Sequence, residues 1–157
     1  MRISGLDMRA AALAQIAVGG MFGAAARDAI EQSLPTRTGT FPLATFMINL
    51  SGALLLGALL EGLVRAGDDS GRRRDLRLFA GTGFLGAFTT YSTFSIEADL
   101  LVHGGRVYVA LFYAALTIIG GLSAVVAGIA LGAGHRRWML SRMPVDPDLD
   151  ANAGGNR

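Results

Sequence analysis

"GAFTTYSTFSIE", residues 86–97, decides how this chain is read. Thr89, Thr90, Ser92, Thr93 and Ser95 put five hydroxyls beside aromatic rings and the Glu97 carboxylate, all inside an apolar stretch. Gly81, Gly83 and Gly86 lead into it, and glycine followed by β-branched threonine weakens helical continuity. Residues on both sides are hydrophobic enough for lipid, so the expectation is a transmembrane helix broken in its middle. Exposed backbone at membrane depth is tolerated only where it is buried in protein or faces a polar cavity, and such interruptions commonly form ion sites. On a continuous helix Phe84, Phe88, Tyr91 and Phe94 fall in one sector, with Thr90, Thr93 and Glu97 opposite.

Working outward, the rest of the chain supports a membrane bundle. Of 157 residues, 52% are hydrophobic, and the charged residues gather at the N-terminus, in "RAGDDSGRRRDLR" (residues 65–77) and in the C-terminal tail. A crossing needs about 20 apolar residues of helix, and four stretches qualify, at roughly 10–30, 41–64, 76–102 and 107–133. The expected fold is therefore an all-α membrane protein: a cytoplasmic N-terminus at 1–9, a four-helix transmembrane domain at 10–134, and a polar, disordered tail at 135–157 with two prolines and alternating acids. Arg2 and Arg9 ahead of an apolar run, with Ala24-Ala25-Ala26 behind it, imitate a cleaved signal peptide. Gln15 and the Gly19-Gly20 pair interrupt that run and suit a packed helix better.

All 14 basic residues are arginine. With four crossings, eleven lie on one side, in the N-terminus, the 65–77 segment and the tail, and only Arg27, Arg37 and Arg106 on the other. The positive-inside rule then places both termini in the cytoplasm.

Gly19 and Gly23 in the first helix, and Gly128 and Gly132 in the fourth, are four apart, the spacing that lets helix backbones approach closely in lipid. Glu97 is the sharpest polar signal, because an ionisable group in a membrane segment usually faces the bundle interior or a water-filled path. Asp99 and His103 are assigned to the interface. Asn49 is central to the second helix and carries two donors and an acceptor; interhelical glue is its plain role. Arg27 ends the first helix, where it either snorkels to the interface or sets a positive potential at the mouth of a path. Tyr113 and Thr117, at i and i+4 in the fourth helix, form a short polar strip.

Hydroxyls, an amide and the electropositive edges of aromatic rings suit a small anion losing its water shell. A cation path more naturally shows carbonyl cages or acidic rings. The chain has no cysteine, its two histidines are far apart, and it lacks a nucleophile–base pair, a Walker loop and a dinucleotide fingerprint, so no enzyme is expected. Two rival readings remain: a small proton-coupled drug or cation exporter working through Glu97, and a non-transporting assembly factor that uses its polar groups only as helix glue.

The segments "GGMFGAAARD" (residues 19–28), "FPLATFMINLSGALLLG" (41–57) and above all "GTGFLGAFTTYSTFSIE" (81–97) resemble the CrcB/Fluc fluoride channels. That family shows a GGxxGAxxR start, a second-helix VN-x-x-G and a third-helix G-x-x-TTFSTFS-x-E. The resemblance implies an antiparallel dimer of four-helix subunits with two pores, passing fluoride passively out of a bacterial cell across its plasma membrane. It implies a structural sodium ion where the broken helices cross, held by backbone carbonyls at Gly86 and Thr89. Tyr91 and Phe94 match its pore phenylalanines, Asn49 its pore asparagine and Arg27 its vestibule arginine. Thr90, Thr93, Glu97, Tyr113 and Thr117 fall on its polar track. Two departures stand out: Tyr91 replaces the first phenylalanine, and Ala87 stands where a second glycine is common. An antiparallel homodimer needs subunits inserted both ways, whereas eleven arginines against three favour one orientation. The partner is accordingly expected to be either a second copy or an oppositely oriented paralogue.

Overall fold

The computed structural model describes residues 5–36 and 39–141. Among them the chain is helical throughout, as apolar sequence without a water-facing alternative requires, since only intrasegment bonds satisfy the backbone in lipid. Helix α1 is Gly5–Ser33 and α2 is Leu43–Ala66. Pro42, almost fully buried, precedes α2, where its missing N–H costs no helical bond. Gly67 ends the helix at φ 112°, a conformation that disfavours any side chain. Among the described residues three helices, Met8–Ser33, Leu43–Ala66 and Val107–Gly134, are long and apolar enough to cross a membrane.

The stretch expected as the third span is built differently. A short α3, Gly71–Leu76, runs into a π-helical segment, π1, Arg77–Leu85, and then a single turn, α4, Gly86–Phe88. Thr89 is extended (φ −77°, ψ 154°), and α5, Ser92–His103, starts anew. The break therefore falls where glycine and threonine were expected to put it. At the far end of α5 the Arg106 amide donates to the Leu101 carbonyl (2.8 Å) and the Gly105 amide to Val102 (3.0 Å). With Gly105 at φ 73°, this is a Schellman C-cap, which turns the chain into the last helix.

That helix, α6, is Val107–Ser141. It continues past the expected boundary, so residues 135–141, assigned above to a disordered tail, are helical; residues 142–157 lie outside the described ones. Arg37, counted above in the first loop, also lies outside them.

Small residues decide the pairing. A methyl on Gly23 would run into the Phe84 carbonyl and one on Gly19 into the Phe79 carbonyl, so α1 lies directly on π1 and α4. Gly128 likewise faces the Leu54 carbonyl and Gly57 the Val125 carbonyl, seating α2 along α6. The glycine spacing thus marks close backbone packing, as expected. Two apolar clusters fill the interior: Ile48, Leu85 and Phe88 around the break, and Leu101, Ala110 and Tyr113 between α5 and α6. Large side chains such as Leu13, Met21, Phe22, Tyr108, Ile118 and Leu131 point outward, a surface suited to lipid rather than water.

Candidate functional site

The break is held by Asn49. Its Nδ2 donates to the Thr90 carbonyl (2.9 Å), and its Oδ1 accepts from the Thr90 amide (2.8 Å). In an unbroken helix that amide would close on the Gly86 carbonyl. The side chain of α2 therefore substitutes for the missing helical turn, satisfying two backbone groups that lipid would leave bare. Asn49 does act as glue between helices, on backbone rather than on another side chain. One N–H of its amide remains for the cavity described next.

The five hydroxyls divide in use. Thr89 Oγ1 donates to the Leu85 carbonyl (3.0 Å) and Ser95 Oγ to the Tyr91 carbonyl (2.9 Å), the local back-bonding common in membrane helices. Thr90 caps α5: its Oγ1 accepts from the Thr93 amide (3.2 Å), contacts Ser92 Oγ (3.3 Å) and donates to Thr93 Oγ1 (3.0 Å). A threonine hydroxyl just ahead of the helix that accepts from the amide three residues on satisfies an orphan donor of its first turn. Most of the hydroxyl run thus builds the interruption itself.

Beside the break lies an open cavity of about 540 Å³. Asn49, Gly86, Thr89, Thr90, Tyr91, Phe94 and Thr117 contribute to its wall, among apolar residues of α2 and α6. Thr117 Oγ1 is buried and has no hydrogen-bond partner among the described residues. A buried hydroxyl left unpaired is costly. Tyr91 is 81% exposed, so the cavity is open on its flank.

A second cluster surrounds Glu97. Thr45 Oγ1 donates to Oε1 (2.9 Å), and the Tyr113 hydroxyl donates to Oε2 (2.8 Å). Thr45 and Tyr113 are both completely buried, at 0% exposure, whereas Glu97 is half-buried. On its other side Glu97 lines a smaller hollow of about 170 Å³ with Thr36, Thr40 and Pro42, at the α1–α2 connection. The Phe94 ring joins the two clusters: it lines the cavity at the break, and its centroid is 5.1 Å from that of Tyr113. Cavity, Phe94, Tyr113 and Glu97 therefore form one connected strip from the bundle's middle toward its edge.

A model described as "CrcB-like protein, Camphor Resistance (CrcB)" matches residues 14–129. The chain is 52% identical over 116 residues to "Fluoride-specific ion channel FluC 2" of Leifsonia xyli subsp. xyli, covering 74% of this chain and 79% of that one. The chain belongs to the CrcB family. It is also 41% identical over 125 residues to "Fluoride-specific ion channel FluC 3" of Streptomyces avermitilis, covering 80% of this chain and 60% of that one. To "Fluoride-specific ion channel FluC 1" of Cutibacterium acnes it is 39% identical over 133 residues, with 85% and 92% covered.

Within this CrcB chain the expected site residues do not form a single group. Asn49, Tyr91, Phe94, Thr90 and Thr117 meet at the cavity, with Gly86 and Thr89 beside them, while Glu97 and Tyr113 form the second cluster. Thr93 touches neither and bonds back to Thr90. Tyr113 and Thr117, adjacent on one strip of α6, serve different clusters. Arg27 is not on the cavity wall; its Nε lies 3.8 Å from Glu31 Oε1, both side chains half-buried. The aromatic face drawn on a continuous helix splits at the break: Phe84 stacks on Phe88 (5.8 Å) against Ile48, while Tyr91 pairs with Phe94 (6.1 Å). Asp99 and His103 are exposed, with Nδ1 3.3 Å from Oδ1. Thr45 was missed. Its signal was available: it lies four residues before Asn49, hence on the same face of α2.

Proposed function

We propose that this chain is the subunit of a fluoride-selective channel that lets fluoride, accumulated in the cell as the weak acid, leave passively. The observation that carries the proposal is the unpartnered, buried Thr117 hydroxyl on a residue that lines a cavity together with Asn49, Tyr91 and Phe94. A bare fluoride gains there the donors that replace its water, in surroundings where each donor counts for more than in solvent. From the cavity the ion passes the Phe94 ring edge toward Tyr113, whose hydroxyl turns from the Glu97 carboxylate to the anion. Until then Glu97 holds the donors Tyr113 and Thr45 in place, and it does not meet fluoride head-on. The family membership and the names of the relatives support the same substrate.

In this reading the two halves of the interrupted segment together make the fourth crossing. An exposed Tyr91 and a broken backbone facing lipid would be unfavourable, so a second subunit covers the open flank in an antiparallel pair. The arginine bias favours an oppositely oriented paralogue as that partner and puts both termini in the cytoplasm; a second copy inserted the other way is the alternative. The Gly86 and Thr89 carbonyls suit a structural sodium ion between subunits. The amide that would occupy the Gly86 carbonyl is taken by Asn49, and Thr89 is extended out of the helical ladder. A bound cation would add a fixed positive charge near the C-terminal, negative end of α4.

Fluoride and chloride efflux from liposomes carrying this chain, alone and with its paralogue, tests the proposal. Fast fluoride release with chloride retained is expected. Vesicles that stay sealed to fluoride in both preparations, or that lose chloride equally fast, would refute it.

A further inference from the structure

One end of the bundle carries a charge pattern that the ion pathway does not use. Residues 65–77 hold Arg65, Arg72, Arg73, Arg74 and Arg77 against Asp68, Asp69 and Asp75. Two of these arginines are neutralised locally, Arg65 by Glu61 one turn earlier and Arg77 by Asp69, with Nη2 2.6 Å from Oδ2. Arg73 Nη1 reaches only the Asp68 carbonyl oxygen, at 3.4 Å. Among the described residues no carboxylate is paired with Arg72, Arg73 or Arg74.

Arg74 is half-buried because it lines a cleft of about 180 Å³ between the start of α1 and α3. Gln15, Arg74 and Asp75 supply its polar side, and Met8, Ala11 and Leu78 its apolar side. Leu76 and Phe79, close by in sequence, are exposed apolar side chains of the kind that lipid tails cover. A phosphate ester on an acyl chain matches this division: anion on the guanidinium and amide, hydrocarbon on the alanine and methionine side. Basic pockets between membrane helices bind such headgroups.

We infer that this cleft, with Arg72 and Arg73 at its rim, binds the headgroup of an anionic phospholipid of the surrounding leaflet. The inference rests on the membrane-spanning reading above and is independent of which ion the bundle conducts. Arg74 and Gln15 hold the phosphate, Arg72 and Arg73 attract it electrostatically, and a tail lies along the Met8 and Ala11 face of α1.

The test uses the full chain purified in neutral detergent. Native mass spectrometry measures retention of phosphatidylglycerol against phosphatidylcholine, and a melting series compares both lipids with inorganic phosphate. Wild type should retain phosphatidylglycerol selectively. R72Q/R73Q/R74Q should weaken that retention on the order of 100-fold, from a factor of about five for each basic side chain near a lipid surface. R72K/R73K/R74K, which keeps the charge, should recover most of it. Equal retention of the two lipids by wild type, or undiminished selectivity in the glutamine variant, would overturn the inference. A melting shift from inorganic phosphate as large as that from the lipid would assign the cleft to soluble phosphate instead. Fluoride efflux from phosphatidylcholine vesicles, unchanged in the glutamine variant, shows that it has folded. If wild type released no fluoride there, either alone or with its paralogue, the channel reading would fail while selective lipid retention still stood.

Discussion

Asn49→Ala removes the side chain that bridges the break. The Thr90 amide and carbonyl then lose their partners at 2.8 Å and 2.9 Å together. A buried backbone group left unpaired costs about 1–3 kcal/mol, whereas side-chain hydrogen bonds between membrane helices average only about 0.6 kcal/mol because the disrupted state finds other partners. With two groups orphaned these limits become about 6 and about 1.2 kcal/mol; the cavity of about 540 Å³ beside Thr90 can admit water to them, which keeps the loss in the lower part of that range, at about 1–3 kcal/mol. Thermal unfolding in detergent reads it out, with fluoride efflux from liposomes in parallel. Thr117→Val is the control: it removes a buried hydroxyl that has no partner among the described residues, so stability should hold or rise while fluoride flux falls. Asn49→Asp keeps an acceptor for the Thr90 amide but, when ionised, loses the donor to the Thr90 carbonyl. It should be intermediate in stability and should block an anion outright. If Asn49→Ala unfolded like wild type, the amide would not be what holds the interrupted backbone, and the account of the break would be wrong.

Three further outcomes follow from other contacts. Tyr113→Phe leaves Glu97 Oε2 without its donor and should cost about 1–2 kcal/mol; combined with Glu97→Gln, a double-mutant cycle should give a non-zero coupling, and strict additivity would separate the two residues. Gly23→Ala pushes a methyl into the Phe84 carbonyl and should force α1 off π1, destabilising by more than about 2 kcal/mol, whereas Gly121→Ala meets nothing within 4 Å and should unfold like wild type. At the polar end, the hydrogen bond from Arg77 chiefly holds the Asp69 carboxyl below its ordinary value. Its contribution is therefore present above the ordinary carboxylate range and is lost as pH falls through the lowered value. Asp69→Asn should flatten the acid side of the stability profile below about pH 4, by a small amount because both partners are exposed.

Much of the fold was readable because lipid imposes one-dimensional rules. Hydropathy located α1, α2 and α6, since each must satisfy its own backbone bonds and hide few polar groups. Gly19, Gly23 and Gly128 announced close helix contacts because nothing but a missing side chain permits them. The break was legible in Gly81, Gly83, Gly86 and the threonines, and Asn49, Tyr91, Phe94 and Thr117, singled out from the sequence, line one cavity.

Composition and spacing thus determined that this chain is an apolar helical bundle with a polar interruption, because local propensity and solvent preference act along the chain. The tertiary structure decided what each polar atom does, because a hydrogen bond depends on where a neighbouring helix brings its partner. That is why Thr89 and Ser95 turn inward on their own helix while Thr117 stays unpaired. It is also why Thr45, unremarkable in sequence, meets Glu97 across 52 residues, and why the aromatic face of an unbroken helix divides into two pairs once the axis changes direction at Thr89.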